Sequence, residues 1–278
     1  MGVNIELLKK LRTKTNAAIK DCKNALENCE NNFEKAVDFL RKKGILKAKI
    51  KEDNLTNHGY VYATSNLNEA SIALIGTETD FCANNEMIKN LTIKICNFIL
   101  SKNASNIEEL LNLQFNDYND TLGNYIKEIA SKMSENVRLL EFKKLDNLSS
   151  YNVGVYNHFD HLASAVCVLE GGNVDLANQI AAQIVAMSPK YISLDDVPKE
   201  VYEKEKKILE EELMSSVTAK SKPNHIFLNI LTGRLKKNFA NETLLAQPFI
   251  FKEKLSVEEI LNHSKAKVID FYYISIRN

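Results

Sequence analysis

No stretch of this 278-residue chain approaches the roughly 20 consecutive apolar residues that a membrane-spanning helix needs. The N-terminus also lacks a signal-peptide apolar block, so the expected location is the cytoplasm. Cysteine is sparse: Cys22, Cys29, Cys82, Cys96 and Cys167 are odd in number, scattered and free of CxxC spacing. That argues against a disulfide framework and against a zinc site, and leaves the thiols as reduced, small buried hydrophobes. Net charge is missing as well: 36 Lys and Arg balance 36 Asp and Glu, and the whole molecule offers nucleic acid no electrostatic attraction. The phosphate-binding patterns GxxxxGKS/T and GxGxxG are absent, as are the hydrolytic patterns HExxH and GxSxG. No catalytic residue and no cofactor is expected.

What remains is a chain 45% apolar and 26% charged, the composition of a soluble globular protein with room for two or three domains. Residues 1–46 read as three short helices. Leu7, Leu8 and Leu11 form one stripe, Ile19, Cys22, Ala25 and Leu26 a second, and Phe33, Ala36, Val37 and Leu40 a third. Gly44 is placed to stop the third helix. Residues 1–53 hold 13 Lys and Arg against 8 Asp and Glu, a difference of +5, and six of those bases fall between Arg41 and Lys51 without an acid. Such a run is a solvated linker or a phosphate-binding patch. Residues 47–58, rich in Lys, Asn and Asp, are the best linker in the chain.

A β-hairpin follows, Tyr60-Val61-Tyr62-Ala63 turning at residues 65–68 into the apolar run of residues 70–76. A related pattern returns in Val155-Tyr156, a polar turn at residues 157–161, and residues 163–168. Each hairpin precedes a helical pattern, which predicts two similar α/β subdomains. Helices are expected near 107–112, 122–133 and 174–187, and strands over 137–145 and 268–276. Residues 198–214 are dominated by Glu and Lys with a thin seam of Val201, Ile208 and Leu209. With a return over 226–239, they predict a protruding antiparallel helical pair.

Between the first hairpin and the periodic segment 86–100 lies Glu78-Thr79-Asp80-Phe81-Cys82-Ala83-Asn84. A break between two period types is a turn, and turns display residues to partners. By local pattern alone Phe81, an aromatic after a strand, reads as core. Asp80 beside it argues the other way, since an unpaired buried carboxylate is costly. Cys82 near Asp80 has the look of a nucleophile fragment, but no local histidine could serve as its base, and a structural thiol is the simpler reading. His158 and His161 fall in a predicted turn without a third ligand, which disfavours a metal site. Asp21 and Lys23 around Cys22 read as solvated charges, and Asp195-Asp196 before Pro198 as the start of a helix.

Residues 11–26, Leu11-Arg12-Thr13-Lys14-Thr15-Asn16-Ala17-Ala18-Ile19-Lys20-Asp21-Cys22-Lys23-Asn24-Ala25-Leu26, resemble the first signature of the translation elongation factor Ts family, LRxxTxAxxxDCKxAL. Thr79-Asp80-Phe81 resembles its second. Ser188-Pro189-Lys190-Tyr191, Gly233-Arg234-Leu235-Lys236-Lys237 and Leu245-Ala246-Gln247-Pro248-Phe249 agree with later family motifs, so the ordered match spans nearly the whole chain. Departures are Asn16 in place of glycine, Ile19-Lys20 in place of two methionines, and Leu74 and Gly76 in place of a glutamate and an asparagine.

The resemblance implies an α+β fold: a ubiquitin-associated-like three-helix domain over 1–46, a linker over 47–58, and a core of two similar α/β subdomains with antiparallel sheets. The subdomains would cover 59–145, and 146–188 with 240–278; a helical coiled-coil dimerisation arm would occupy 189–239. It implies a guanine-nucleotide exchange factor for elongation factor Tu, without covalent chemistry, cofactor, membrane or direct nucleic-acid contact. Thr79, Asp80, Phe81 and Cys82 would form the tip that enters the partner near its magnesium site, with Phe81 as the wedge. Arg12 and Ile19 would contact the partner from the N-terminal domain, and His158 would contact a different partner domain. The rival readings are a nucleic-acid- or ribosome-associated adaptor using the 41–51 run, and a hydrolase or transferase centred on Cys82.

Overall fold

The structure, a computed structural model, describes residues 3–15, 17–50, 54–115, 118–215 and 224–277, without the side chains of residues 44–50, 215 and 224–226. Asn16, part of the expected linker at 51–53, and the side chains of the basic run beyond Lys43 therefore lie outside the described residues. The fold mixes helices with antiparallel sheets, which is α+β. The chain divides into two compact units, one of Met1–Asp146, Phe159–Ala163 and Ile274–Asn278, the other of Asn147–His158 and Ser164–Tyr273.

The first unit begins with α1 (Ile5–Thr15), α2 (Ile19–Asn28) and α3 (Phe33–Ile50). Their stripes close a small core of Leu11, Cys22, Ala25, Leu26, Ala36 and Leu40. Ile19, expected in the second stripe, instead stands 53% exposed. Gly44 does not stop α3, which runs six residues further to Ile50. No left-handed residue breaks the hydrogen bonding there, and Ile, Leu, Lys and Ala on the C-terminal side carry the helix through a glycine that costs only about 1 kcal/mol. The basic run is thus largely helical where a linker was expected. Two of its bases are engaged within the chain. Arg41 donates to Asp120 at 2.8 Å and lies 4.3 Å over the Tyr118 ring, and Lys43 bonds Asp21 at 2.9 Å.

β1 (His58–Ser65), β2 (Ala70–Thr77), α4 (Asp80–Ala83), α5 (Glu86–Leu100), α6 (Ile107–Asn112), α7 (Leu122–Met133) and β3 (Val137–Leu145) follow. The sheet order is β1-β2-β3, antiparallel throughout, and β2 is buried along its whole length. An alternating strand buries one face; this continuous apolar run buries both. Ile88, Leu91, Ile95 and Ile99 of α5 meet Ile75 of β2 and Leu122, Ile126 and Ile129 of α7 in one core.

The second unit holds β4 (Asn152–Asn157), β5 (Ala163–Glu170) except its first residue, α8 (Val174–Met187), α9 (Lys199–Ser215), α10 (Asn224–Phe239), β6 (Pro248–Phe249), β7 (Lys252–Ser256), α11 (Val257–His263) and β8 (Lys267–Ser275) except its last two residues. Its larger sheet has the order β4-β5-β8, with β4 and β5 antiparallel, so the second hairpin forms where the sequence echo placed it. Gly154 lets β4 and α8 close up, since a Cβ there would lie 2.0 Å from the Ala177 carbonyl carbon. α9 and α10 pack through Leu209, Leu213, Leu231, Leu235 and Phe239. They run antiparallel: Glu205, early in α9, accepts from Asn238, late in α10, at 2.9 Å. The expected seam is corrected in part. Leu209 and Leu213, four apart, share the buried face, whereas Val201 and Ile208 are each 42% exposed.

Candidate functional site

The turn after β2 is built by residues that have run out of strand partners. The ladder between β2 and β3 ends at Thr77 opposite Val137, so Glu78 next faces Asn136 and Thr79 faces Glu135. Side chains continue what the backbone stops. The Asn136 N–H donates to the Glu78 carboxylate, while the Thr79 N–H and hydroxyl donate to the two Glu135 oxygens at 3.0 and 2.7 Å. Asn136, itself buried, also donates to the Asn54 carbonyl at 2.7 Å.

Thr79 is extended and caps α4, its hydroxyl accepting from the Cys82 N–H at 3.2 Å. Asp80 turns back on the chain and accepts from the Phe81 N–H at 2.9 Å. A single helical turn cannot bury every side chain. Cys82 and Ala83 take the inward face at 2% and 3% exposure, and Phe81 is left 84% exposed. The core reading that local pattern favours for Phe81 is thereby corrected. The Cys82 thiol is held protonated, pushed up to about 12 by burial and by the carboxylates of Glu135 and Glu78. A protonated thiol is a poor nucleophile, which disfavours the reading centred on Cys82.

Leu74 and Gly76, the departures that precede the tip, are both buried within β2, and neither is among the residues that bond the tip. Its polar support comes from Glu135 and Asn136, which sequence reasoning missed. They lie 56 and 58 residues from their partners, and nothing local marks them. Arg12 and Ile19 sit exposed on α1 and α2 of the same unit. His158 belongs to the second unit, half-buried, with its Nδ1 3.4 Å from the Tyr156 hydroxyl. Phe159, the next residue in the chain, is 85% exposed, a large apolar side chain that no motif marks.

An aromatic ring is thus held out on a capped turn, tied to the neighbouring strand's approach by two carboxylates. The family model described as Elongation factor TS matches residues 78–278. An Elongation factor Ts of Phytoplasma australiense is 32% identical over 278 residues, covering 100% of both chains. Another, of Aquifex aeolicus (strain VF5), is 34% identical over 284 aligned positions, covering 96% of this chain and 95% of its own. The chain belongs to the elongation factor Ts family.

Proposed function

We propose that this protein is the guanine-nucleotide exchange factor for elongation factor Tu in protein synthesis. It binds the GDP-bound partner, inserts the tip of Thr79, Asp80, Phe81 and Cys82 near the magnesium site, displaces the ion and stays bound until GTP enters. The observation that carries this reading is Phe81, 84% exposed on a turn fixed by its own cap and by Glu135. An apolar ring kept in water is stabilised by a partner that buries it, by about 2 kcal/mol. The coupling is reciprocal: a factor that prefers the nucleotide-free partner weakens GDP by the same ratio. Magnesium bridges phosphate oxygens in such sites, and its loss removes the main charge that holds the diphosphate. No bond is made or broken by the factor itself.

Around the tip, α1 to α3 act as a ubiquitin-associated-like domain that presents Arg12 and Ile19 to the same partner, and His158 contacts a second partner domain. α9 and α10 form a coiled-coil arm through which two copies pair. The protein works in the cytoplasm; no helix among the described residues is long and apolar enough to cross a membrane. Two bases of the 41–51 run are engaged in ion pairs inside the chain, which weighs against the nucleic-acid adaptor. The test is release of labelled GDP from the same organism's elongation factor Tu with and without this protein. Acceleration is expected; unchanged release refutes the proposal.

A further inference from the structure

Thr79 has every polar group committed. Its N–H and hydroxyl proton go to Glu135, its carbonyl accepts from the Thr77 hydroxyl at 2.8 Å and the Ala83 N–H at 3.1 Å, and its hydroxyl oxygen accepts from Cys82. A hydroxyl has one proton. Because Glu135 takes it, the oxygen's lone pairs are turned toward the Cys82 N–H of α4. α4 spans only Asp80–Ala83, far below the length at which a helix holds itself. Its conformation rests on what grips Thr79.

The grip reaches back into the core. Ser134 ends α7 in the left-handed conformation at φ 59° and the Glu135 N–H returns to the Ala130 carbonyl at 3.3 Å, so the chain reverses and delivers Glu135 to the tip. α7 is packed through Leu122, Ile126, Ile129 and Ala130. Glu135 is therefore set on a rigid element while its carboxylate acts on a short, exposed one. On the same side Glu78 bonds Asn136, and the two strand ends hold each other reciprocally.

We infer that Glu135 is a positioning residue for exchange: it touches no nucleotide, and through Thr79 it holds α4 in the conformation that projects Phe81. The inference rests on the proposed role of Phe81. Pre-ordering the tip spares the complex the cost of ordering it on binding. Glutamine keeps the side-chain length and one acceptor oxygen, enough for one of the two Thr79 donors, whereas alanine leaves both without their partner.

The experiment measures stimulated GDP release and, separately, amide exchange at Cys82, with thermal melts for each variant. Glu135→Ala is expected to slow stimulated release by about tenfold, the loss of charge-assisted hydrogen bonds to one residue. Glu135→Gln should restore release to within about threefold of the parent, because the isostere keeps the geometry. In a Phe81→Ala background Glu135→Ala should add nothing, since both act through one ring. Cys82 amide exchange should quicken in Glu135→Ala and stay slow in Glu135→Gln. Thr79→Val, which removes the hydroxyl at nearly constant volume, is the second variant if Glu135→Ala melts early, and should give the same slowing. Parent-rate release by a folded Glu135→Ala, an additive loss in the Phe81→Ala background, or unchanged Cys82 exchange overturns the inference. Parent-rate release by Phe81→Ala overturns the wedge role of Phe81 instead, and Cys82 exchange then judges Glu135 alone.

Discussion

Replacing Phe81 with alanine separates docking from packing. A core phenylalanine truncated to alanine costs about 3 to 5 kcal/mol of folding stability. Phe81, 84% exposed, has little packing to lose. The α4 turn is held by the backbone and hydroxyl of Thr79 and by Glu135, none of which uses the ring. The melting temperature should therefore stay within about 2 °C of the parent, since surface changes fall within about 0.5 kcal/mol. In the proposed complex the ring would exchange water for an apolar gap, and losing it should remove about 2 kcal/mol. At tenfold per 1.4 kcal/mol, that is a loss of about thirtyfold in the second-order rate of stimulated GDP release. A stopped-flow titration of labelled GDP on elongation factor Tu, with this protein varied, reads the rate directly. A folded variant at the parent rate would refute the wedge, and an unfolded variant would show that the ring belongs to the core.

Gly154→Ala should destabilise the second unit by about 3 kcal/mol, because overpacking here sets a methyl against backbone; the new Cβ would meet the Ala177 carbonyl carbon at 2.0 Å, and a melt unchanged from the parent would contradict the packing of α8 on β4. Arg41→Ala should loosen α1 to α3 by about 1 to 2 kcal/mol through loss of its Asp120 bond and Tyr118 stacking, read as faster amide exchange there than in β2. Acid should do the same. Burial raises the Glu128 carboxyl but Lys132, Tyr118 and Arg41 outweigh it, and Asn124 with the Thr121 N–H lowers Asp120, so both sit below their ordinary values. Groups depressed in the folded state contribute fully above their unfolded values of about 4, and the contribution is lost as pH falls through the depressed ones. Protection factors in α1 to α3 that do not fall between pH 6 and pH 3 would contradict this. Cys82, its thiol pushed up to about 12 by burial and by Glu135 and Glu78, stays protonated at pH 8. Iodoacetamide should label the partly exposed Cys29 well before Cys82.

The elements were legible because their signals are local. The apolar spacing of 122–133 and 174–187 marks α7 and α8, and the polar turns mark both hairpins. What failed was decided at a distance or by competition. Gly44 looks like a stop, but good helix formers follow it and the helix goes on. Ile208 looks like seam, but Leu209 and Leu213 occupy the one face that α10 covers. Phe81 reads as core until its neighbours Cys82 and Ala83 fill the inward face of a single turn. Thr79, Asp80 and Phe81 could be found from their motif; Glu135 could not, since only the pairing of Thr77 with Val137 brings it across.

An exchange factor of the kind proposed opens the nucleotide site of elongation factor Tu. The direct measurement is the dissociation rate of labelled GDP from that partner, in magnesium, as this protein is titrated in. That rate should climb with concentration and saturate. A rate that stays at the partner's own value across the titration would contradict the proposal.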